Sequence, residues 1–467
     1  MSDTTNTSVT VELDIVKLDR RYVWHPFGQE QTAPAPLPVA RAAGASLFLE
    51  DGREILDLAS SWWVNVHGHC HPAIAEALGE QARTLEHVIF AGFTHAPAAR
   101  LAEALVRALP RSKNTTDDKG LDRVFYSDNG STAVEAALKM AFQSWRNRGE
   151  RRRTLFLAFE GAYHGDTFGA MSVGRSSGFY GPFEDVLLKV RFTPFAETWL
   201  DDTGNGTDVD ARESAALAEL DAILERDGKR IAGFIAEPLV QGASGMRMCR
   251  PQFLQAVCQR VAAQGIPVIL DEVMTGFGRT GTLFAMEQAG VTPDLVCLSK
   301  GLTGGFLPMA VTVASKAIYE TFLGQDFSTA FAHGHSYTAN PLGCAAALAS
   351  LALFKSEQTL ERITAIRAAN LRWLSEAACL PGVHRPRALG SIAAVNLGRE
   401  GDGKGDYYSA MGPKLKARFL ELGLLVRPLG NVVYVMPPAC IAPEKLARAH
   451  AAILQVLRET APLYAKS

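Results

Sequence analysis

Apolar runs alternate with segments of helical periodicity through the middle of the chain. "VFYSDNGS" ends in small polar residues and is followed by "TAVEAALKMAFQSW", in which apolar positions recur every three or four residues. Further β-rich runs are "TLFLAFEGAYHG", "IAGFIAEP", "IPVILDEV" and "DLVCLSKG", and helical segments such as "PQFLQAVCQRVAAQG" separate some of them. This alternation predicts an α/β domain with a mainly parallel sheet.

The pattern changes after about residue 345. A long Ala/Leu-rich helical stretch leads to the shorter strands "GSIAAVNL", "GLLVRPLG" and "NVVYVMPP" and to a terminal helix, which predicts a smaller α+β unit. Near the start, "GASLFLEDGREILDL" predicts a hairpin. We expect the first eighty residues to pack with this unit, although no pattern in the sequence itself indicates that contact. We therefore predict an N-terminal segment at 1–80, a large α/β domain at 81–345 and a small α+β domain at 346–467.

Composition excludes several classes of protein. The chain has 467 residues, 47% hydrophobic and 21% charged, so it can bury a large core. A net charge of -2 and the lack of a long basic run give no reason to expect nucleic acid or an anionic membrane as partner. The start of the chain lacks the pattern of a secretory signal, no apolar run is long enough to span a bilayer, and the seven scattered cysteines are typical of reduced thiols. We therefore expect a cytoplasmic protein. The segment "TWLDDTGNGTDVD" is polar and is predicted to lie on the surface.

Polar residues follow four of the predicted strands. They are Asp271 with Glu272, then Lys300, then the turn at 129–131, and finally Tyr163 with His164 and Asp166. In open α/β sheets, ligands bind outside the carboxyl ends of the strands. We therefore expect these side chains to meet in one site.

The combination of these residue types suits pyridoxal phosphate. A lysine amine such as that of Lys300 forms a Schiff base with the cofactor aldehyde, and a carboxylate such as that of Asp271 keeps the pyridine nitrogen protonated. The helix that begins near Gly130 and Ser131 offers backbone N–H groups to a phosphate. The ring of Tyr163 can stack on the pyridine. Burial lowers the pKa of a lysine amine, which helps it act as nucleophile and base.

Each feature alone has a simpler explanation. A lysine before a Gly-rich turn is most often exposed, an Asp-Glu pair often caps a helix, and a Gly-Ser turn is often only an N-cap. Their order and strand context favour the cofactor site. The segment "HGHCH" at 67–71 resembles a metal cluster without a matching second half, so we interpret it as loop histidines. The segment "GFGRTG" at 276–281 lacks the ending of a Walker motif, so we interpret it as a turn.

Longer segments resemble the class III aminotransferases of the fold-type I pyridoxal phosphate superfamily. They are "AFEGAYHGDTFGAMSVG", "AEPLVQGASGM", "LDEVMTGFGRTG", "PDLVCLSKGLTGG" and "HGHSYTANPLGCAAAL", and they span most of the chain in the family's order. The resemblance implies a large mainly parallel-sheet domain and a smaller α+β domain built from the two chain ends. It also implies pyridoxal 5'-phosphate as cofactor, no metal, and a homodimer with a shared active site.

The resemblance assigns cofactor contacts to seven positions. They are Gly130, Ser131, Tyr163, Asp271, Lys300, His335 and Ser336. Three of them are implied to be catalytic: Lys300 as the Schiff-base lysine, Asp271 as the partner of the pyridine nitrogen, and Tyr163 as the stacking ring. Gly130 and Ser131 match the phosphate-binding positions. The last two match the stretch that reaches the phosphate from the neighbouring subunit, where threonine is more common than serine.

Other segments resemble a narrower branch of the family, which aminates 8-amino-7-oxononanoate in biotin biosynthesis. They are "RYVWHPFGQ", "ASSWWVNVHGHCHPAI", "HVIFAGFTHAPA" and "VRPLGNVVYVMPP". The substrate has a carboxylate far from its amino-ketone, so it needs an apolar channel that ends in a cation. The matching substrate positions are Phe27, Trp62, Asp166, Arg279, Gly334, Arg427 and Tyr434. Arg427 matches the carboxylate site, and a surface ion pair is the alternative for it. Trp62 matches an apolar wall next to Trp63, and a role in the core is the alternative for it.

One position departs from the branch. Phe27 stands where better-known members have a tyrosine associated with substrate recognition. S-adenosylmethionine is our first choice as amino donor, with lysine as the second. The alternative functions are another class III ω-amino acid or amine transaminase, or a cofactor-binding protein of the same fold without enzymatic activity. The presence of Lys300 and Asp271 argues against the last of these.

Overall fold

A computed structural model describes residues 14–110, 120–175, 178–202, 209–398, 409 and 411–465. The first 13 residues of the segment used to judge a secretory signal lie outside these ranges, as does 203–208 of the predicted polar excursion. Within the described residues, no helix has the length and apolar character needed to cross a membrane. All seven cysteines are described and free, and four of them are buried. The cytoplasmic location stays a prediction.

The described residues form sixteen strands. They are β1 Val39–Ala43, β2 Ser46–Leu49, β3 Glu54–Asp57, β4 Leu121–Ser127, β5 Leu155–Phe159, β6 Val190–Thr193, β7 Ile231–Ala236, β8 Val240–Gln241, β9 Arg247–Met248, β10 Val268–Asp271, β11 Leu295–Leu298, β12 Ala310–Ser315, β13 Val383–Leu389, β14 Ile392–Leu397, β15 Leu424–Leu425 and β16 Val432–Val435.

The helices flank and connect these strands. They are α1 Ile15–Tyr22, α2 Ser60–Trp63, α3 Pro72–Thr84, α4 Ala96–Ala108, α5 Gly130–Asn147, α6 Phe168–Ser172, α7 Val209–Asp227, α8 Pro251–Ala263, α9 Met286–Ala289, α10 Lys316–Glu320, α11 Pro341–Ser356, α12 Thr359–Ala377, α13 Met411–Glu421 and α14 Pro443–Ala465. Short 3₁₀ helices lie at Gly181–Val186, Gly228–Arg230, Lys300–Thr303 and Phe327–Thr329.

A seven-stranded sheet forms the centre of the large unit. Its order is β4-β12-β11-β10-β7-β5-β6. The pairs from β11 through β10, β7 and β5 to β6 are parallel, and β12 runs antiparallel to both of its neighbours. The predicted α/β fold with a mainly parallel sheet is therefore confirmed.

Different helices cover the two faces of this sheet. In β7, Phe234 joins the hydrophobic core that includes Leu220 of α7 and Phe253 of α8, whereas its neighbour Ile235 joins the core that includes Ala137 of α5. Successive residues of a strand point to opposite faces, so every residue of β7 is buried. Strands that are buried on both faces have continuous apolar sequences, which explains the runs in the chain.

The two ends of the chain meet in a smaller sheet. The predicted hairpin near the start is present, because β2 pairs antiparallel with β3. β3 also pairs in parallel with β15, far along the chain, while β13, β14 and β16 form a separate antiparallel sheet. Helix α11 runs across the predicted boundary at 345 and packs against α3 and α4. The division at 1–80, 81–345 and 346–467 therefore remains our proposal.

Candidate active site

A cavity of about 700 Å³ lies at the carboxyl edge of the seven-stranded sheet. β4, β5, β7, β10 and β11 share one direction, so the segments after them meet at this edge. Eight residues singled out from the sequence line the cavity: Asn129, Gly130, Ser131, Tyr163, His164, Asp166, Asp271 and Lys300. The strand ends thus bring together an amine, two carboxylates, a phenol and the start of a helix.

Lys300 follows β11 and begins a short 3₁₀ helix. Its backbone has a φ of +48°, a left-handed conformation that costs a non-glycine residue about 1 kcal/mol or more. The next residue, Gly301, has room only for a hydrogen, because a Cβ there would lie 2.8 Å from Phe277. The Lys300 Nζ lies 4.7 Å from the centre of the Trp63 ring. Burial lowers the pKa of Lys300 to about 8, although Asp271 and Glu237 act in the opposite direction.

Asp271, the last residue of β10, is held by two contacts. Its Oδ1 accepts a hydrogen bond from the backbone N–H of Val273 at 3.0 Å, and its Oδ2 lies 2.7 Å from the Nδ1 of His164. Both side chains are buried. The second ring nitrogen of His164, Nε2, has no hydrogen-bond partner among the described residues. His164 and the Val273 N–H therefore hold the Asp271 carboxylate in a defined orientation.

The N-terminus of α5 forms another wall of the cavity. Asn129 caps this helix with a capping box, in which its side chain accepts from the Thr132 N–H. Gly130 is required by the packing, since a Cβ would lie 2.6 Å from a methyl group of Val273. The Ser131 hydroxyl lies 2.8 Å from the Thr167 Oγ1. Helix N-termini bind anions through free N–H groups and the positive end of the helix dipole.

Tyr163 lies on the loop after β5. Its backbone N–H donates to the Oε2 of Glu237 at 3.0 Å, and its hydroxyl donates to the Oδ2 of Asp166 at 3.0 Å. Burial, followed by the charge of Asp166, raises the pKa of the phenol well above its usual range. The phenol of Tyr163 is therefore neutral, and carboxylates hold the residue at its backbone N–H and at its hydroxyl.

Arg427 and Phe27 both contact the ring of Trp62, and none of the three lines the cavity. The Arg427 guanidinium lies 3.9 Å from the centre of the Trp62 ring, and the Phe27 ring meets Trp62 edge-on at 5.4 Å. Trp62 is 38% exposed, whereas Trp63 is buried and lines the cavity. The structure therefore brings Trp62 and Arg427 together, but it is Trp63 that faces Lys300.

Arg279 and Tyr434 are buried behind the cavity wall. The Arg279 Nη1 donates to the Ser60 hydroxyl at 3.0 Å, while its Nε and Nη2 have no partner among the described residues. Burial lowers the pKa of Arg279 to about 10. The Tyr434 hydroxyl accepts from the Trp63 indole N–H at 2.9 Å. Tyr434 thus supports Trp63, and neither Arg279 nor Tyr434 lines the cavity as it stands.

Gly334, His335 and Ser336 lie on the loop between the last 3₁₀ helix and α11. Gly334 and Ser336 are exposed, and the His335 Nδ1 lies 3.9 Å from the Oδ2 of Asp128. None of the three lines the cavity of its own chain. Their predicted contacts from a neighbouring subunit stay a prediction.

Several lining residues are absent from the set of assigned positions, among them Trp63, His164 and Glu237. The sequence offered a signal for Glu237, because it directly follows the all-apolar β7 in the same way that Asp271 ends β10. His164 was visible at a strand end, but its contact with Asp271 joins residues 107 positions apart. The choice between Trp62 and Trp63 depends on backbone geometry that no periodicity reveals.

The histidines at 67–71 have other contacts. His69 Nε2 lies 2.9 Å from Asp57, and His71 Nε2 lies 2.9 Å from Glu357. Burial lowers the pKa of His67 to about 4. In the described part of the chain, no group of three or more His, Cys, Asp or Glu side chains is arranged to hold a metal ion. The segment 276–281 is a turn, with Phe277, Gly278 and Gly281 at positive φ.

The residues of the cavity fit pyridoxal phosphate. Lys300 offers an amine for the aldehyde, Asp271 a carboxylate for the pyridine nitrogen, and the N-terminus of α5 with Ser131 a site for the phosphate. Gly130 leaves no side chain between the helix and Val273. A cavity of about 700 Å³ is within the range for small-molecule sites. The set holds a partner for the aldehyde, the ring nitrogen and the phosphate of the cofactor.

Comparisons with known proteins agree with this geometry. Residues 27–457 match the sequence profile of the family described as aminotransferase class-III. The chain is 52% identical over 438 residues to an adenosylmethionine-8-amino-7-oxononanoate aminotransferase of Synechococcus elongatus, covering 94% of this chain and 99% of the relative. It is similar to the crystal structure of an enzyme of that name from Methanocaldococcus jannaschii, with a TM-score of 0.85, 33% identity and coverage of 95% and 98%. It also resembles an amine transaminase from an uncultivated Pseudomonas species, solved in a PLP-bound form, with a TM-score of 0.83, 30% identity and coverage of 94% and 99%.

Proposed function

Because the chain belongs to the class-III aminotransferases, we propose that it transfers an amino group to 8-amino-7-oxononanoate and forms 7,8-diaminononanoate in biotin synthesis. Pyridoxal 5'-phosphate is the cofactor. The 52% identity to the Synechococcus relative over nearly the whole of both chains supports this acceptor. The observation that carries the chemistry is the amine of Lys300, which meets the cavity in a strained backbone conformation beside Trp63.

Bound pyridoxal phosphate supplies an aldehyde carbon that takes up amines and a ring that withdraws electrons from the carbon next to the nitrogen. Lys300 holds the cofactor between turnovers and moves a proton when an amine has displaced it. A lysine with a pKa of about 8 has an appreciable uncharged fraction near neutral pH, so it can accept that proton. Trp63 covers the amine and limits the access of water to it.

Asp271 holds a proton on the pyridine nitrogen. His164 orients the Asp271 carboxylate through its Nδ1, and the Val273 N–H fixes the other oxygen. An aspartate with two such contacts is fixed in one rotamer, which leaves its position unchanged through the reaction. Ser131 and the N-terminus of α5 hold the phosphate, and Tyr163 bounds the ring.

The acceptor carries a carboxylate at the end of a long aliphatic chain. Arg427 binds this carboxylate, and Trp62 and Phe27 provide apolar walls beside it. S-adenosylmethionine is the proposed donor. Lysine is kept as the second choice, because Phe27 lacks the hydroxyl found in better-known relatives. Asp166, Arg279 and Tyr434 complete the substrate site, and the last two act through the segment that carries Trp63.

We further propose a homodimer in which each chain lends a loop to its partner's site. Gly334, His335 and Ser336 lie on that loop, away from the cavity of their own chain. The aromatic side chains Phe327 and Tyr337, which flank them, are 77% and 62% exposed. Exposed aromatic side chains beside a functional loop are typical of an interface.

The first experiment measures 7,8-diaminononanoate by mass spectrometry after the cofactor-loaded protein is mixed with 8-amino-7-oxononanoate. S-adenosylmethionine and lysine are supplied in separate reactions. Product with either donor supports the function and identifies the donor. The alternative is an amine transaminase, favoured by the similarity to the Pseudomonas structure. No product with either donor, together with turnover of simple amines, would establish that alternative.

A further inference from the structure

Glu237 is the buried carboxyl group at the centre of the sheet edge. It follows β7, between the end of β10, with Asp271, and the loop after β5, with Tyr163. It is 5% exposed and lines the cavity. Among the described residues it forms no ion pair with a lysine or arginine side chain. An unpaired buried carboxylate is costly, so its place here needs a physical reason.

Both of its oxygens accept backbone hydrogen bonds. Oε2 accepts from the N–H of Tyr163 at 3.0 Å and Oε1 from the N–H of Gly242 at 2.9 Å. Two such donors favour the ionised carboxylate, since a protonated carboxyl would turn a hydrogen toward one of them. Burial favours the neutral form, and it raises the pKa of Glu237 to about 7. The group is therefore poised between its two charge states near neutral pH.

Lys300 is within the electrostatic reach of this group. Burial lowers the pKa of Lys300, while the charges of Asp271 and Glu237 raise it and that of Arg279 lowers it further. The pKa of Glu237 is in turn lowered by its electrostatic interaction with His164 and raised by that with Asp271. The charge state of Glu237 thus contributes to the balance at Lys300, and the same carboxylate fixes the backbone from which the Tyr163 ring extends.

We propose that Glu237 is a positioning residue of the transamination site, which anchors the loop of Tyr163 through its oxygens and favours the protonated form of Lys300 through its charge. The purpose of this role rests on the proposed function. The role itself concerns Lys300 and Tyr163 and can be measured without any substrate.

The decisive variant is Glu237→Gln, which keeps the shape and removes the charge. The cofactor-free protein is acetylated with acetic anhydride across a pH series, and the modified Lys300 peptide is quantified by mass spectrometry. We expect the midpoint of Lys300 reactivity to fall by ~0.5–1 pH unit in Glu237→Gln. The absorbance of the cofactor-loaded variant is expected to titrate with a shift in the same direction.

Glu272 provides a matched control. It is fully buried, it accepts the backbone N–H groups of Ala285 and Met286, and burial also raises its pKa to about 7. However, it does not line the cavity. We expect Glu272→Gln to leave the Lys300 midpoint within ~0.2 pH units of the wild-type value. A midpoint unchanged in Glu237→Gln, or shifted equally in both glutamine variants, would overturn the proposed effect on Lys300.

Glu237→Asp separates the charge from the anchor. The shorter side chain keeps the charge but cannot reach both N–H groups, so the Lys300 midpoint should stay near the wild-type value. We expect the dissociation constant for pyridoxal phosphate, measured by absorbance, to rise ~3–10-fold in both Glu237 variants. Wild-type cofactor affinity in both would overturn the anchoring role, and a midpoint shift in Glu237→Asp would overturn the role of the charge. A wild-type protein that takes up no cofactor contradicts the proposed function, while the acetylation series still decides the effect on Lys300.

Discussion

Replacing Lys300 with methionine should stabilise the cofactor-free protein at neutral pH. The pKa of Lys300 is lowered from 10.5 to about 8 by burial, so the native state binds its proton less tightly than the unfolded state. This difference corresponds to a cost of about 3 kcal/mol in the free energy of unfolding at pH 7. Methionine removes the ammonium but also its contact with Trp63, worth up to about 1 kcal/mol. The net expectation is a gain of about 2 kcal/mol.

The sign of the pH dependence provides the test. Between pH 8 and 10.5 the unfolded chain holds the Lys300 proton more than the native state does, so the wild-type protein gains stability as the pH rises. The advantage of Lys300→Met should therefore shrink by about 1 kcal/mol between pH 7 and pH 9. Urea denaturation of the cofactor-free proteins at both pH values measures it, with Lys414→Met on the exposed side of α13 as control. Equal stabilities of Lys300→Met and wild type at pH 7, or an advantage that grows with pH, would refute the reasoning.

Three further predictions concern the site. Asp271→Asn should keep the fold by circular dichroism and slow the single-turnover donor half-reaction at least ~100-fold, because the ring proton loses its partner; an unchanged rate would contradict this role. Arg427→Ala should raise the KM for 8-amino-7-oxononanoate ~10–100-fold and spare the donor half-reaction, with Arg41→Ala, whose arginine lies 3.6 Å from the centre of the Phe48 ring, as a control that leaves KM unchanged. Equal loss in both arginine variants would show that Arg427 acts only through packing. Gly130→Ala should weaken cofactor binding at least ~10-fold in an absorbance titration, since its Cβ meets Val273, and wild-type affinity would mean that the helix start yields easily.

Much of the fold could be predicted because local pattern and tertiary burial agree. β7, β10 and β11 are buried on both faces, so their sequences are apolar up to the strand end, where the first polar residues are conspicuous. Asp271 and Lys300 were predicted to share a site for that reason, and both line one cavity. The hairpin of β2 and β3 was visible from its own turn. The pairing of β3 with β15 could be predicted only from family resemblance, because no local signal links the two ends of the chain.

The sequence did not show which of the two tryptophans faces Lys300. Ser60, Ser61 and Trp63 all have positive φ, at 48°, 57° and 66°, so the backbone departs from regular helical geometry within these four residues. This turn directs Trp63 into the cavity and leaves Trp62 under Arg427. Left-handed conformations are uncommon for serine and tryptophan, so neither propensity nor periodicity indicates such a turn. The role of Glu237 was missed for a related reason, since its backbone partners lie on two separate loops.

The pairing between β3 and β15 has a consequence for the newly synthesised chain. Leu56 pairs with Leu424, so about 370 residues must be made before this edge of the sheet can close. At ~5–20 residues per second, the N-terminal hairpin waits on the order of 20–70 s with its backbone edge unpaired. An open strand edge of this kind is a template for association with other chains. Yield in the cell should therefore depend on chaperones that bind early segments, and circular permutants whose chain begins just before β15 should escape that dependence, because β15 is then made before β3.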